Sequence, residues 1–408
     1  MIERQNLLAV HPFARLNRLL AGIAPGDPRL GLADHAPGAP IFLQVGEPQN
    51  QPPTFVAGAL HEAAAGWSRY PPPLGTPAYL EACIAWLTRR YNLPPGMIDP
   101  ETMILPLPGT REGLFLAALA CTPGPGGGSG NGRAPLVLMP NPAYHVYIGA
   151  VAAALAEPKA VPATRESGFL PDYGALPTEV LARAGLCYFN SPSNPQGAVA
   201  DPARMTALIE LARAHDFTVA FDECYSEIYT DVPPPGSLQA AAALGGSLDN
   251  MLVFHSLSKR SSAPGLRCGF VVGDPRRIAA LDAMLRFGGA GVPLPVLAAG
   301  TRCWQDEAHV EENRARYQAN FAVAERVLGN RFGFRKPAGG FFLWLEVGDG
   351  EAAARTLWRE AGIRVLPGAY MTLPEADGVN PGADYIRVAL VYDPALTEAA
   401  LNRIVEVL

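Results

Sequence analysis

Several absences narrow the reading of this 408-residue sequence at the outset. No apolar run reaches the roughly 18 residues that a membrane-crossing helix needs, so no bilayer span is expected. The first twenty residues mix Glu3, Arg4, Arg15 and Arg18 with apolar side chains. They lack the basic-then-apolar order of a secretion signal, and a cytoplasmic protein is expected. There is no basic excess. The net charge of -6 argues against a general nucleic-acid binder. The six cysteines form no C-x-x-C pair and the histidines no H-x-x-x-H spacing, so neither a disulfide framework nor a zinc site is expected.

Apolar residues, by contrast, are plentiful at 49%, and the length exceeds one ordinary core. Short runs rich in Val, Leu and Phe at 136–139, 186–189, 218–221, 252–254 and 269–272 read as buried strands ending at turn residues. Amphipathic stretches lie between them. One is 201–215, with Asp201 as N-cap and Pro202 at the first helical position, a helix start. Strands alternating with helices predict an α/β fold with a mostly parallel sheet covered on both faces. Such sheets bind ligands beyond the carboxyl ends of their strands.

From about residue 295 the pattern changes. One long helix over 301–328 is predicted, then strands at 340–346, 363–366 and 385–390, a helix at 351–360 and a terminal helix from Thr397. These elements suggest a smaller α+β domain at 295–408, a large domain at 49–294, and an N-terminal segment 1–48 packed on the small domain. The glycine-rich stretch 123–133 lacks a G-K-[ST] ending and precedes a strand, so it reads as a surface loop and not as a phosphate loop.

The chemistry concentrates just after the strands. Ser256-Leu257-Ser258-Lys259 follows one strand, with Arg267 eight residues beyond the lysine. A lysine with an available neutral amine can form an imine with an aldehyde cofactor. The two hydroxyls and the guanidinium can together hold a phosphate. A second strand runs into Asp222-Glu223-Cys224-Tyr225, where a carboxylate can keep a pyridine nitrogen protonated. A third runs into Asn190-Ser191-Pro192-Ser193-Asn194-Pro195-Gln196-Gly197, a rigid turn that can aim Asn194 inward. Gly109-Thr110-Arg111-Glu112 opens an apolar helix, whose free N–H groups suit an anion. Each motif alone also has a plain structural reading: a surface lysine, a helix cap, an ordinary turn.

In this order, Asn-Pro-x-Gly, Asp-x-x-Tyr, Ser-x-Ser-Lys with a following Arg, and a late Arg387 in a strand resemble the fold-type I, class I and II aminotransferases that use pyridoxal 5'-phosphate (PLP). The resemblance covers nearly the whole chain. It implies a large domain with a seven-stranded type of sheet and a smaller second domain. It also implies that Lys259 is the Schiff-base lysine and proton carrier, with Asp222 on the pyridine nitrogen. Asn194 and Tyr225 would bond the phenolic oxygen and Tyr144 would stack on the ring. Gly109, Thr110, Arg111, Ser256, Ser258 and Arg267 would line the phosphate side. Tyr70 would reach the phosphate of a neighbouring subunit, which implies a homodimer with shared active sites. Arg387, with Gly46 and Asn194, would bind the substrate α-carboxylate.

Within the family, stretches such as 70–75, 258–265 and 365–370 resemble bacterial N-succinyldiaminopimelate aminotransferases. That resemblance implies amino exchange between glutamate and N-succinyl-2-amino-6-oxopimelate. Both substrates carry remote carboxylates, which require a cation. Arg111 is the first candidate, ahead of Arg260 and Lys336. The glycine-rich Gly288-Gly289-Ala290-Gly291 departs from the subgroup and leaves the acceptor open. Other class I/II aminotransferases, a carbon–sulfur β-lyase on the same fold, and a non-catalytic PLP sensor are the alternatives. The sensor would need a DNA-binding appendage, of which the first forty residues show no sign.

Overall fold

A computed structural model describes residues 11–32, 35–122, 134–289, 291–375 and 378–408. The glycine-rich stretch 123–133 lies outside the described residues. The N-terminal helix Pro12–Leu19 begins on a proline, which lacks only a donor that the first turn leaves free anyway. Its Leu16 packs with Leu366, Tyr370 and Met371 from the far end of the chain. Strand β1 (Ile41–Phe42) then pairs in parallel with β10 (Ile363–Arg364).

The central sheet is built from β2 (Ile104–Leu107), β3 (Leu136–Asn141), β4 (Glu157–Pro162), β5 (Ala184–Asn190), β6 (Thr218–Asp222), β7 (Met251–Ser256) and β8 (Gly269–Gly273). Their order is β2-β8-β7-β6-β5-β3-β4. All neighbours run parallel except β8, which is antiparallel to both β7 and β2. Successive residues of β6 and β7 point to opposite faces. Val219, Phe221 and Val253 enter one core, while Ala220, Leu252 and Phe254 enter another. Each large side chain so buried contributes about 1.5–3 kcal/mol, and covering both faces fixes the register.

The edge strands β2 and β4 were not legible as strands because Pro106, Pro158 and Pro162 interrupt them. Proline is tolerated where one side of the ladder is unpaired.

The C-terminal part departs from expectation in two places. The predicted helix over 301–328 is two helices, Leu294–Gln305 and Ala308–Leu328. At the break, the Asp306 carboxylate accepts from the backbone N–H of His309, a local bond that competes with helix continuation. The strand expected at 363–366 is split between two sheets, since β11 (Leu366–Pro367) pairs with β12 (Tyr385–Ala389) and not with β1. β9 (Phe342–Glu346) completes the order β11-β12-β9. It starts after Gly340, whose φ of 78° is open chiefly to glycine. Among the described residues, no helix is long and apolar enough to cross a membrane, and no group of three His, Cys, Asp or Glu could hold a metal.

Candidate active site

Parallel pairing brings the ends of β5, β6 and β7 side by side, with Asn190 opposite Asp222. Asn190 ties the first two ends together. Its amide donates to the Asp222 carbonyl at 2.6 Å, and its side-chain oxygen accepts from the Asn194 backbone N–H at 2.6 Å. A pocket of about 160 Å³ opens there. Of the cofactor and α-carboxylate residues that the resemblance implied, all but Gly109 and Tyr70 line it.

Lys259 sits on the short helix Leu257–Arg260 that directly follows β7. Its Nζ donates to the Gly46 carbonyl. Burial brings its pKa down from 10.5 to about 8, with the nearby Arg111 and Arg387 charges acting in the same direction. Much of the amine is therefore neutral near pH 8. Asp222 is 4% exposed. Its Oδ2 accepts from the Tyr147 hydroxyl at 2.7 Å and its Oδ1 from the Cys224 N–H at 3.4 Å. Burial raises its pKa, and the two donors oppose that rise. Tyr225 is buried edge-on against Phe341 and Phe342.

Arg387 projects from β12 and is 4% exposed. Its Nη1 donates to Asn194 Oδ1 at 3.1 Å and its Nη2 to the Gln44 carbonyl at 2.6 Å. The guanidinium lies 4.2 Å over the Phe342 ring. Burial lowers its pKa to about 10, so it remains a cation at neutral pH. Its Nε has no partner, a buried donor of the kind a bound carboxylate satisfies.

On the other side, Gly109 caps the helix Thr110–Cys121 with φ 91°. A Cβ there would collide with the Arg267 guanidinium. Arg267 donates to both Glu112 oxygens, at 3.0 and 2.8 Å. Ser256 Oγ accepts from the Ser258 N–H at 3.1 Å. Arg111 Nε donates to the Tyr144 hydroxyl at 3.1 Å.

Two weaker substrate candidates lie elsewhere. Arg260 is 2% exposed, pairs with Glu307 at 2.7 Å and lies over both the Trp86 and Trp304 rings, 5.4 and 5.1 Å from their centroids. Lys336 pairs with Glu325 at 3.4 Å. Neither lines the pocket. Tyr70 is 90% exposed and remains outside the pocket of its own chain. Gly288 and Gly289 line a separate, mostly apolar cavity of about 530 Å³ that borders the site at Arg111 and His145.

Phe13, Val45, His145, Cys224 and Phe342 also line the pocket and were not picked out from the sequence. His145 is held neutral, its pKa pushed down to about 3 by burial and by nearby His11 and Arg111. It and Cys224 adjoin motif residues and could have been found by extending the motifs. Phe13 arrives from a distant helix with no local signal.

A buried amine of lowered pKa, a buried carboxylate, and a cation with hydroxyls and a helix start match three parts of PLP: its aldehyde, its pyridine nitrogen and its phosphate. Fold and site together define an α/β enzyme built around that cofactor. The chain belongs to the aminotransferase class I and II family, whose model matches residues 40–408, and enzymes of this family use PLP.

The relatives act on varied substrates. The chain is 34% identical to the 4-dedimethylamino-4-oxo-anhydrotetracycline transaminase OxyQ of Streptomyces rimosus, covering 90% of this chain and 94% of that one. It is 31% identical to an LL-diaminopimelate aminotransferase of Nitratidesulfovibrio vulgaris, covering 89% and 90%. Among solved structures, an aminotransferase from Neisseria meningitidis superposes with a TM-score of 0.87 at 36% identity, over 97% of both chains. A probable N-succinyldiaminopimelate aminotransferase from Thermus thermophilus superposes with a TM-score of 0.79 at 26% identity, over 91% and 95%.

Proposed function

We propose that this aminotransferase exchanges the amino group of glutamate with N-succinyl-2-amino-6-oxopimelate, as a cytoplasmic homodimer. The carrying observation is that Arg387 and Arg111, two cations, line the same pocket as Lys259. Both substrates have an α-carboxylate and at least one remote carboxylate, and each needs a cationic partner. The succinyldiaminopimelate-like stretches of the sequence support this reading, as do relatives named for diaminopimelate.

Bound PLP supplies the electron sink that makes the substrate α-hydrogen acidic. The residues of the chain do the rest. Lys259 would hold the cofactor aldehyde until the substrate amine takes its place, and its freed, neutral Nζ would then accept the α-proton. Asp222 would keep a proton on the pyridine nitrogen, while Asn194 and Tyr225 would donate to the phenolic oxygen. Gly109, Thr110, Ser256, Ser258 and Arg267 would hold the phosphate, and Tyr144 would cover the ring. Arg387 binds the α-carboxylate, with Gly46 and Asn194 beside it, and Arg111 reads the remote one. Tyr70 would complete the phosphate site of a second copy. Residues 49–294 would form the cofactor domain, with 1–48 and 295–408 as the smaller one.

The test is a panel of oxo acids with glutamate as donor. The succinylated pimelate should be the best acceptor, and Arg111→Gln should raise its KM about tenfold, the worth of a partly exposed charge-assisted bond, while leaving pyruvate unchanged. Aromatic oxo acids or oxaloacetate turning over far faster would overturn the assignment.

A further inference from the structure

Tyr147 was not among the site residues read from the sequence, and it does not line the pocket. It lies on the helix His145–Ala153 and is fully buried. Its hydroxyl donates to Asp222 Oδ2 at 2.7 Å, shorter than the 3.4 Å from the Cys224 N–H to Oδ1. Its ring is stacked on Tyr188, with centroids 4.2 Å apart and planes 7° from parallel. The Tyr188 hydroxyl is tied to the Leu114 carbonyl at 2.6 Å. The stack thus fixes where the Tyr147 hydroxyl points while offering Asp222 no second phenol.

We propose that Tyr147 is a positioning residue for transamination: its hydroxyl holds the Asp222 carboxylate in one orientation and in its anionic form. The inference rests on Asp222 facing the pyridine nitrogen, as proposed above. A buried carboxylate is costly as an anion unless donors satisfy it. Burial also pushes the Tyr147 phenol well above its usual pKa of 10, so it stays a donor. Lys259, Cys224 and the phenols of Tyr144, Tyr188 and Tyr225 are the other titratable groups coupled to Asp222, and of the phenols only Tyr147 bonds it. Without the Tyr147 donor the carboxylate becomes more basic, and the proton shared with the pyridine nitrogen moves onto Asp222. The nitrogen then draws electrons less strongly, and the α-proton is lost more slowly.

The test uses the holoenzyme reconstituted with PLP labelled with 15N in the ring. The 15N chemical shift reports directly whether that nitrogen carries the proton. Tyr147→Phe keeps the stack and removes the donor. The shift should move toward that of an unprotonated pyridine, with kcat down about tenfold, the lower end for a hydrogen bond to a charged group, and the KM for glutamate little changed. Tyr188→Phe should leave the shift in place. Should the phenylalanine variant fail to fold, 3-fluorotyrosine at position 147 gives a stronger donor and should move the shift the opposite way.

A wild-type shift in Tyr147→Phe, or an equal displacement in Tyr188→Phe, would overturn the proposal. Asp222→Asn separates the two readings. If it too leaves the shift unchanged, the role of Asp222 itself fails; if it moves the shift and Tyr147→Phe does not, only Tyr147 fails.

Discussion

One guanidinium nitrogen of Arg267 lies 2.8 and 3.0 Å from the two carboxylate oxygens of Glu112, on the proposed phosphate side of the pocket. Both side chains are more than two-fifths exposed, so the pair contributes at most about 1 kcal/mol. A phosphate dianion would be a better partner for Arg267. Glu112→Gln should therefore tighten PLP binding to the apoenzyme by up to about fivefold, read by equilibrium dialysis. A weaker affinity would show instead that Glu112 is needed to aim Arg267.

The lowered pKa of Lys259 makes two pH predictions. Recombination of apoenzyme with PLP requires the neutral amine, so its rate should rise through about pH 8 and then level, whereas an exposed lysine would still be accelerating near pH 10. The sequence holds three lysines, Lys159, Lys259 and Lys336. Borohydride reduction followed by peptide mapping should place the cofactor on Lys259.

Stability follows from the same shift. The folded value of about 8 lies below the usual 10.5, so between them the unfolded chain binds more protons and stability rises with pH. Below pH 8 the buried amine costs the apoenzyme on the order of 3 kcal/mol. Apo Lys259→Met should be more stable than wild type by about that amount at pH 7. Denaturant melts should show the difference shrinking as pH approaches 10.5.

Arg387→Lys keeps the charge and loses the fork that binds a carboxylate through two parallel bonds. The KM values for glutamate and 2-oxoglutarate should both rise about 100-fold, with the visible spectrum of bound PLP retained. A KM change confined to one of the two would show that Arg387 reads something other than the shared α-carboxylate.

Gly109→Ala would force a side chain into a left-handed conformation against the Arg267 guanidinium. Strain of about 1–3 kcal/mol together with a displaced Arg267 should weaken PLP affinity at least tenfold. Gly288→Ala meets open space and serves as the control, with unchanged affinity.

Central strands were legible because their apolar runs are short, uninterrupted and followed by turn residues. The edge strands β2 and β4 carry prolines and hid for that reason. Motif order and the family resemblance brought eleven side chains and Gly46 to one pocket, but residue orientation was beyond a linear reading. Lys259 and Arg260 are neighbours in sequence, yet one helical step of about 100° turns the first toward the pocket and the second onto the Trp86 and Trp304 rings. Phe13 and Tyr147 were missed for a related reason. Each acquires its role from partners far away in the chain, Phe13 across the whole molecule and Tyr147 across the 75 residues to Asp222.

The Arg387 bonds to Asn194 and to the Gln44 carbonyl join three distant segments of the chain at a single side chain. The end of the pocket that would grip what all amino acids have in common is thereby tied to the sheet that carries the chemistry. The opposite border is made in part by Phe13, on a helix outside that sheet. Evolution can work on the two separately. If Arg387 binds the α-carboxylate as proposed, drift in the N-terminal helix would change which substrates are admitted and leave the catalytic groups in place, whereas drift at Arg387 would disturb turnover of every substrate at once.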